Sequence, residues 1–335
     1  MSRVAVVGAG SWGTTLADLL AAKGDEEVLW AYEAEVAAEI NHRHRNDLFL
    51  AEAPLHAAIT ATTDVCAAVR GAVLVVSAAP SHAVRAVMRD AAAELAEGVL
   101  VVSVSKGLEP GGLKRMTEVL AEVLPAGSAI AAVSGPTFAR EVYERQPTAA
   151  TVASASADAA RRAQSALSAP YLRLYTNDDV VGVELAGALK NVIAIAAGIL
   201  DGLGVGHNAR AALVTRGLAE ITRLGVALGA QPLTFAGLSG MGDLVLTATG
   251  QLSRNRSLGV ELGRGRTLAE VMARRLSVAE GVGTAKAALA LAEGVGVELP
   301  IAREVARVLF DGKPAKQAIG DLMERSLTSE RSRAS

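Results

Sequence analysis

The chain has 335 residues, 51% of them hydrophobic and 20% charged, a composition that excludes a disordered chain and a length that favours two domains. A formal net charge of −2 gives no global positive field to draw it onto nucleic acid or an anionic membrane. The one cysteine, Cys66, excludes a disulfide framework or a thiolate metal site within the chain and fits a cytoplasmic setting; with no histidine near it in sequence, it reads as a small buried hydrophobe.

In chain order, residues 4–7 (VAVV) form a wholly apolar run, as expected of a strand buried on both faces. The run passes straight into a glycine motif and shows no signal-peptide cleavage pattern. A helical pattern covers 14–23 and is closed by Gly24, and a second strand is expected over 28–32. Strand-like runs recur at 72–79, 99–104 and 129–133, with helical segments at 81–96 and 112–123; residues 147–153 and 171–175 are candidates for further strands. Alternating strand and helix predict parallel pairing through right-handed crossovers. Beyond Asp178 the strand-like runs stop, and helical spacing takes over at 180–200, 208–229, 267–275, 280–294 and 301–311. The expected division is an α/β domain over 1–179, an all-helical domain over 180–326 and a polar tail over 327–335. The stretch 181–200 has the length of a membrane span, but Glu184, Lys190 and Asn191 mark it as a helix buried inside the protein.

Gly8-Ala9-Gly10-Ser11-Trp12-Gly13 is a G-x-G-x-x-G motif between a strand and a helix. Gly8 permits the tight turn, Gly10 lets backbone approach a pyrophosphate, and Gly13 lets helix and strand pack closely; the phosphates meet the free N–H groups of the helix N-terminus. The fold class that follows is α/β, an N-terminal Rossmann-type doubly wound sheet with an all-α C-terminal domain. Tyr32 and Glu33 end the second strand, where such a domain reads the adenosine ribose. An acidic residue there favours NAD and a basic one NADP. No Arg or Lys lies between Lys23 and Arg43, so of NAD and NADP the sequence favours NAD; Arg43 and Arg45 stay as candidates for a 2′-phosphate, and starting the next helix stays as an alternative role for Glu33.

Lys190 sits inside an apolar helix, with Ala186, Gly187, Ile193 and Ala194 at helical spacing. Burial disfavours its charged form and suits it to general acid–base work. The alternative is a lysine at a helix seam, paired to a carboxylate such as Glu184. Asn191 adds a second polar group that a purely structural helix does not need. Residues 237–247 (GLSGMGDLVLT) form a glycine-rich loop in which Asp243 and Thr247 share one face if a helix starts there. Ser253-Arg254-Asn255-Arg256 presents hydroxyl, guanidinium and amide donors suited to phosphate, or else forms a solvated charged turn. Two loops end strands: 103–109 (SVSKGLE), where Lys106 meets an anionic or carbonyl oxygen or is an exposed surface lysine, and 134–138 (SGPTF), which contains Gly135 and Thr137. The five histidines lack metal-ligand spacing, and His42 and His44 read as loop residues.

GAGSWGT at 8–14, SKGLE at 105–109, SGPTFARE at 134–141, LKNVIAIAAG at 189–198, GLSGMGDLVLTAT at 237–249, SRNR at 253–256 and VAEGV at 278–282 together resemble the bacterial-type NAD(P)-dependent glycerol-3-phosphate dehydrogenases. The resemblance implies a C-terminal domain like that of 6-phosphogluconate dehydrogenase and reduction of dihydroxyacetone phosphate to sn-glycerol 3-phosphate, the route into glycerophospholipid synthesis. It implies Lys190 as the proton donor in reduction, Lys106 in contact with substrate and cofactor, and Asp243 and Thr247 holding the lysines and substrate oxygens. Ser253, Arg254, Asn255, Asn191, Gly135 and Thr137 would complete the substrate site. Ser11, Trp12, Ala139, Arg254, Val278 and Glu280 match cofactor-contacting positions. The family often carries a basic residue where this chain has Tyr32 and Glu33, which puts an NADPH preference in doubt. A homodimer is the expected assembly. A related dehydrogenase with another substrate would not need the SRNR segment, and a sensor without catalysis would be expected to lack Lys190 or Asp243.

Overall fold

The computed structural model describes residues 2–273, 279–327, 329 and 330. The chain divides into two compact units, Met1–Glu184 and Leu185–Ser335.

The first unit is built on one eight-stranded sheet: β1 (Arg3–Val7), β2 (Glu26–Trp30), β3 (Ile59–Thr62), β4 (Leu74–Ser77), β5 (Leu100–Ser103), β6 (Ala129–Ser134), β7 (Thr148–Ala153) and β8 (Leu172–Asn177). Their order is β3-β2-β1-β4-β5-β6-β7-β8. The first six pair in parallel, in the order of a doubly wound dinucleotide fold. Both faces are covered. Val4, Val6 and Leu29 join one core cluster, and Ala5, Val7 and Val28 the other, which is why these strands read as continuous apolar runs.

Two features depart from the sequence reading. β6 and β7 pair antiparallel, whereas the alternation predicted parallel pairing throughout. The only helix between them is α6 (Ala139–Tyr143), five residues long. At roughly 1.5 Å per residue it cannot carry the chain back along a six-residue strand of about 20 Å, so the chain returns antiparallel. β3 is an additional edge strand of four residues with alternating burial, too short and too polar to stand out.

The helices of this unit are α1 (Ser11–Ala22), α2 (Ala34–Arg43), α3 (Val65–Val69), α4 (Val84–Ala91), α5 (Met116–Val123), α6 and α7 (Ala157–Leu167). His42 lies in α2 and His44 caps it in a left-handed conformation (φ 51°), so they are helical and capping residues rather than loop residues. Cys66 is half-buried in α3 rather than buried, and its thiol donates to Asp90 O at 3.3 Å.

Helices make up the second unit: α8 (Val180–Gly202), α9 (His207–Ala227), α10 (Pro232–Ala236), α11 (Asp243–Thr249), α12 (Arg254–Gly263), α13 (Leu268–Met272), α14 (Glu280–Gly294), α15 (Pro300–Phe310) and α16 (Ala315–Met323). The division between units falls inside α8, whose first turn is capped by Asp179 Oδ1 accepting from Gly182 N at 2.8 Å. α8 is long and apolar enough to cross a membrane, yet 83% of its most apolar window is buried in the protein. It crosses α12 at glycines. A Cβ on Gly198 or Gly202 would press into α12 backbone, and one on Gly259 or Gly263 into α8 backbone. Helix axes at this crossing therefore approach as closely as main-chain atoms allow. Of the expected tail, 327, 329 and 330 are described.

Candidate active site

In the first unit the candidate residues gather at the carboxyl ends of the parallel strands, where ligands bind in open α/β sheets. After β1 the chain turns at Gly8, whose φ of 123° suits glycine; a Cβ there would meet Ala78 C at 2.7 Å. Gly8 N donates to Trp30 O at 3.1 Å, fixing the turn to the end of β2. Gly13 is buried, and a Cβ on it would overlap the Gly8 carbonyl, so the third glycine is required by helix–strand packing. Gly10 differs: a Cβ there would meet nothing within 4 Å. The protein itself does not exclude a side chain at Gly10. The open space in front of it, beside the first turn of α1 with its half-buried Ser11 and Trp12, fits a dinucleotide pyrophosphate.

Tyr32 is 80% exposed and stands edge-on to Trp30 at 6.4 Å. β2 stops at Trp30 rather than at Tyr32, so Glu33 lies just beyond the strand, at the N-cap position of α2 without a side-chain capping bond, and begins that helix. Arg45, one of the two basic candidates for a 2′-phosphate, pairs with Asp47 at 2.8 Å.

Lys106 follows β5 and is half-buried, with Nζ donating to Gly135 O at 2.8 Å. Thr137 Oγ1 donates to the same carbonyl at 3.2 Å. The loop bearing Lys106 is held from both sides: Ser105 Oγ donates to Ala79 O at 2.5 Å, and Glu109 pairs with Arg85 at 2.5 Å, which holds the Glu109 carboxyl below the usual carboxylate range. Ala139 opens α6, and its carbonyl accepts from Thr15 Oγ1 of α1 at 3.2 Å.

In the second unit the candidates form a buried polar centre. Lys190 Nζ donates to Asp243 Oδ1 at 2.5 Å and to Thr247 Oγ1 at 2.6 Å, and Thr247 Oγ1 lies 3.2 Å from Asp243 Oδ1. The three residues are 5%, 1% and 4% exposed. A π-helical turn, Leu238–Gly242, leads into α11 and makes Asp243 its first residue, so Asp243 and Thr247 share one helical face. Glu184 is not the partner of Lys190. Its carboxylate accepts from Thr117 N at 2.9 Å, Thr117 Oγ1 at 2.5 Å and Arg115 Nη1 at 2.9 Å. Burial raises that carboxyl above its usual value against the pull of these donors. The seam-lysine alternative with Glu184 therefore falls.

Asn191 Oδ1 accepts from Asn255 Nδ2 at 3.0 Å, and Asn255 Oδ1 accepts from Gly281 N at 3.0 Å, a chain that joins α8, α12 and α14. Ser253 Oγ accepts from Arg256 N at 3.2 Å and caps α12. Arg254 is exposed on the first turn of that helix. Arg256 is not part of a solvated turn: its Nε donates to Asp201 Oδ2 at 2.7 Å, and Arg210 joins the same carboxylate. Glu280 is half-buried at the first position of α14. Val278 lies outside the described residues.

A buried lysine–aspartate pair adds little net stability, because desolvation offsets its attraction. Its presence in an otherwise apolar helix points to chemistry that needs a positioned ammonium.

Two family models match the chain: the N-terminus of NAD-dependent glycerol-3-phosphate dehydrogenase over residues 3–160 and its C-terminus over residues 179–320. A glycerol-3-phosphate dehydrogenase [NAD(P)+] of Geobacter sp. (strain M21) is 53% identical over 330 residues, 98% of each chain. One from Koribacter versatilis is 54% identical over 334 residues, 98% of this chain and 99% of its own. The crystal structure of glycerol-3-phosphate dehydrogenase from Coxiella burnetii superposes with a TM-score of 0.92 at 38% identity, covering 96% of this chain and 98% of that one.

Proposed function

The chain belongs to the NAD-dependent glycerol-3-phosphate dehydrogenase family, and from that premise we propose how its own residues carry out the interconversion of dihydroxyacetone phosphate and sn-glycerol 3-phosphate with NAD(P)H and NAD(P)+. The nicotinamide, when bound, supplies or accepts the hydride. Gly8, Gly10, Ser11, Trp12 and Gly13 hold the pyrophosphate on backbone N–H groups, and Tyr32 and Glu33 face the adenosine ribose. Ala139 and Glu280 are the remaining cofactor positions that the family resemblance implies.

Hydride delivery to the ketone builds negative charge on its oxygen. Lys190 Nζ stabilises that charge and passes a proton to it, and in the reverse direction takes the proton from the hydroxyl. Asp243 and Thr247 orient Nζ, as their bonds of 2.5 and 2.6 Å support. Lys106 assists on substrate and cofactor, with Gly135 and Thr137. Arg254, at the positive end of α12, takes the substrate phosphate with Ser253, and Asn191 and Asn255 add substrate contacts. Glu33 and the pairing of Arg45 with Asp47 support NAD over NADP. A cytoplasmic homodimer supplying glycerophospholipid synthesis completes the reading.

The observation that carries it is the buried Lys190–Asp243–Thr247 centre. The test is the initial rate of NADH and, separately, NADPH oxidation with dihydroxyacetone phosphate, for wild type and Lys190→Ala. Wild type turns over, and the variant loses roughly 10²–10⁴-fold in kcat while binding cofactor normally. A Lys190→Ala enzyme with unchanged kcat overturns the assignment of Lys190, and a higher kcat/KM with NADPH overturns the role of Glu33.

A further inference from the structure

Between α2 and β3, residues 45–58 cross the first unit without regular secondary structure, yet they are tied down at many points. His56 N donates to Asp18 Oδ1 at 2.8 Å, Arg140 Nη1 to Ala51 O at 2.7 Å, and Tyr143 Oη to Pro54 O at 2.6 Å. Leu50, Ala53 and Leu55 enter the core cluster on the α1 side of the sheet. Within this segment Asn46 is 0% exposed. Its Nδ2 donates to Ala9 O at 2.8 Å and to Thr14 Oγ1 at 2.8 Å, and Thr14 Oγ1 donates to the same Ala9 O at 3.1 Å. Its Oδ1 has no partner among the described residues.

An amide buried with one end unsatisfied costs desolvation that an apolar side chain of the same size would avoid. Only its donor end contributes: one donation goes to Ala9 O within the glycine motif, the other to Thr14, the residue that follows the motif and itself donates to Ala9 O. Ala9 O and Gly10 N–H belong to one trans peptide plane and point in opposite directions. Two donors on Ala9 O hold that plane with its carbonyl turned inward, which turns Gly10 N–H the other way. Without them the plane is free to rotate and offer a carbonyl oxygen to an anion in place of an N–H group. We propose that Asn46 is a positioning residue for the dinucleotide pyrophosphate: it locks the Ala9–Gly10 peptide in its anion-accepting orientation. The proposal rests on the cofactor reading of the glycine motif given above.

The experiment uses the full-length protein with Asn46→Ala and, as a second variant, Thr14→Val, which removes the neighbouring donor to the same oxygen. Dissociation constants are measured for NADH, for ADP-ribose, which keeps the pyrophosphate, and for adenosine, which lacks it; kcat is read at saturating NADH. Loss of one such hydrogen bond weakens NADH and ADP-ribose by about tenfold in each variant, and adenosine affinity and kcat hold. If Asn46→Ala does not fold, the same pattern in Thr14→Val sustains the proposal. NADH affinity unchanged in a folded variant overturns it, as does an equal loss for adenosine and ADP-ribose, which marks a general structural role. Wild type that binds no NADH overturns the cofactor reading and the proposal together.

Discussion

The two units solve the problem of presenting polar groups in opposite ways. In the first, the candidate cofactor cradle is made of main chain: Gly8, Gly10 and Gly13 contribute turns and N–H groups, and side chains such as Asn46 and Thr14 act on the backbone. In the second, the centre is made of side chains, Lys190, Asp243, Thr247, Asn191 and Asn255, carried on helices that glycines bring close together. A backbone site is encoded locally and tolerates little change in its glycines. A side-chain site needs distant residues to converge and is sensitive to charge and to packing.

The difference can be pressed by substitution. Asp243→Ala leaves the Lys190 charge buried with Thr247 as the remaining member of the centre, and is expected to destabilise the protein by about 3–5 kcal/mol in urea unfolding. A change within about 0.5 kcal/mol would show that the centre is hydrated and not dry.

Glu220 gives the side-chain unit a pH dependence. The carboxylate accepts from Ile301 N at 2.7 Å and Ala302 N at 3.4 Å, at the start of α15, and burial lifts its pKa from 4.5 to about 7 against those donors and the charges of Arg223 and Arg325. The native state holds this proton more tightly than the unfolded chain. Its contribution is therefore fully present below pH 4.5 and is lost as pH rises through 7, up to about 3 kcal/mol. Glu220→Gln should flatten that part of the stability–pH curve, and an unchanged slope between wild type and variant would refute the assignment.

Gly259→Ala places a Cβ against Ile195 O at the α8–α12 crossing and is expected to cost about 1–3 kcal/mol, read as a lower Tm, with kcat falling because Lys190 and Asn255 ride on these helices. The smallest effect is the most discriminating. Gly10→Ala adds a methyl group in open space, so Tm should hold while KM for the dinucleotide rises about tenfold. A fall in Tm with KM unchanged would show that Gly10 serves the fold and not a ligand.

What was legible in the sequence follows the same division. The apolar runs of β1, β4, β5 and β6, the glycine turn and the long apolar helix α8 could be read directly, because each is specified by residues adjacent in the chain. Asn46 left no such signal: it lies in a stretch without periodicity, and its role arises from acceptors 32 and 37 positions away. The edge strand β3 and the antiparallel return of β7 were equally hidden, one by its polarity and the other by the shortness of α6.

By itself, then, the sequence determined the strand–helix alternation, the position of the glycine motif, and the presence of a lysine where an apolar helix has no local use for one. Tertiary structure alone decided which partner that lysine takes. Glu184, near it on the same helix, turns to Arg115 and Thr117, while Asp243, 53 residues on, closes the pair. The physical reason is that spacing along a helix fixes which residues share a face, but the partner of a buried charge is set by which other elements pack against that face, and here the π-helical turn that starts α11 at Asp243 presents that carboxylate with Thr247 to Lys190.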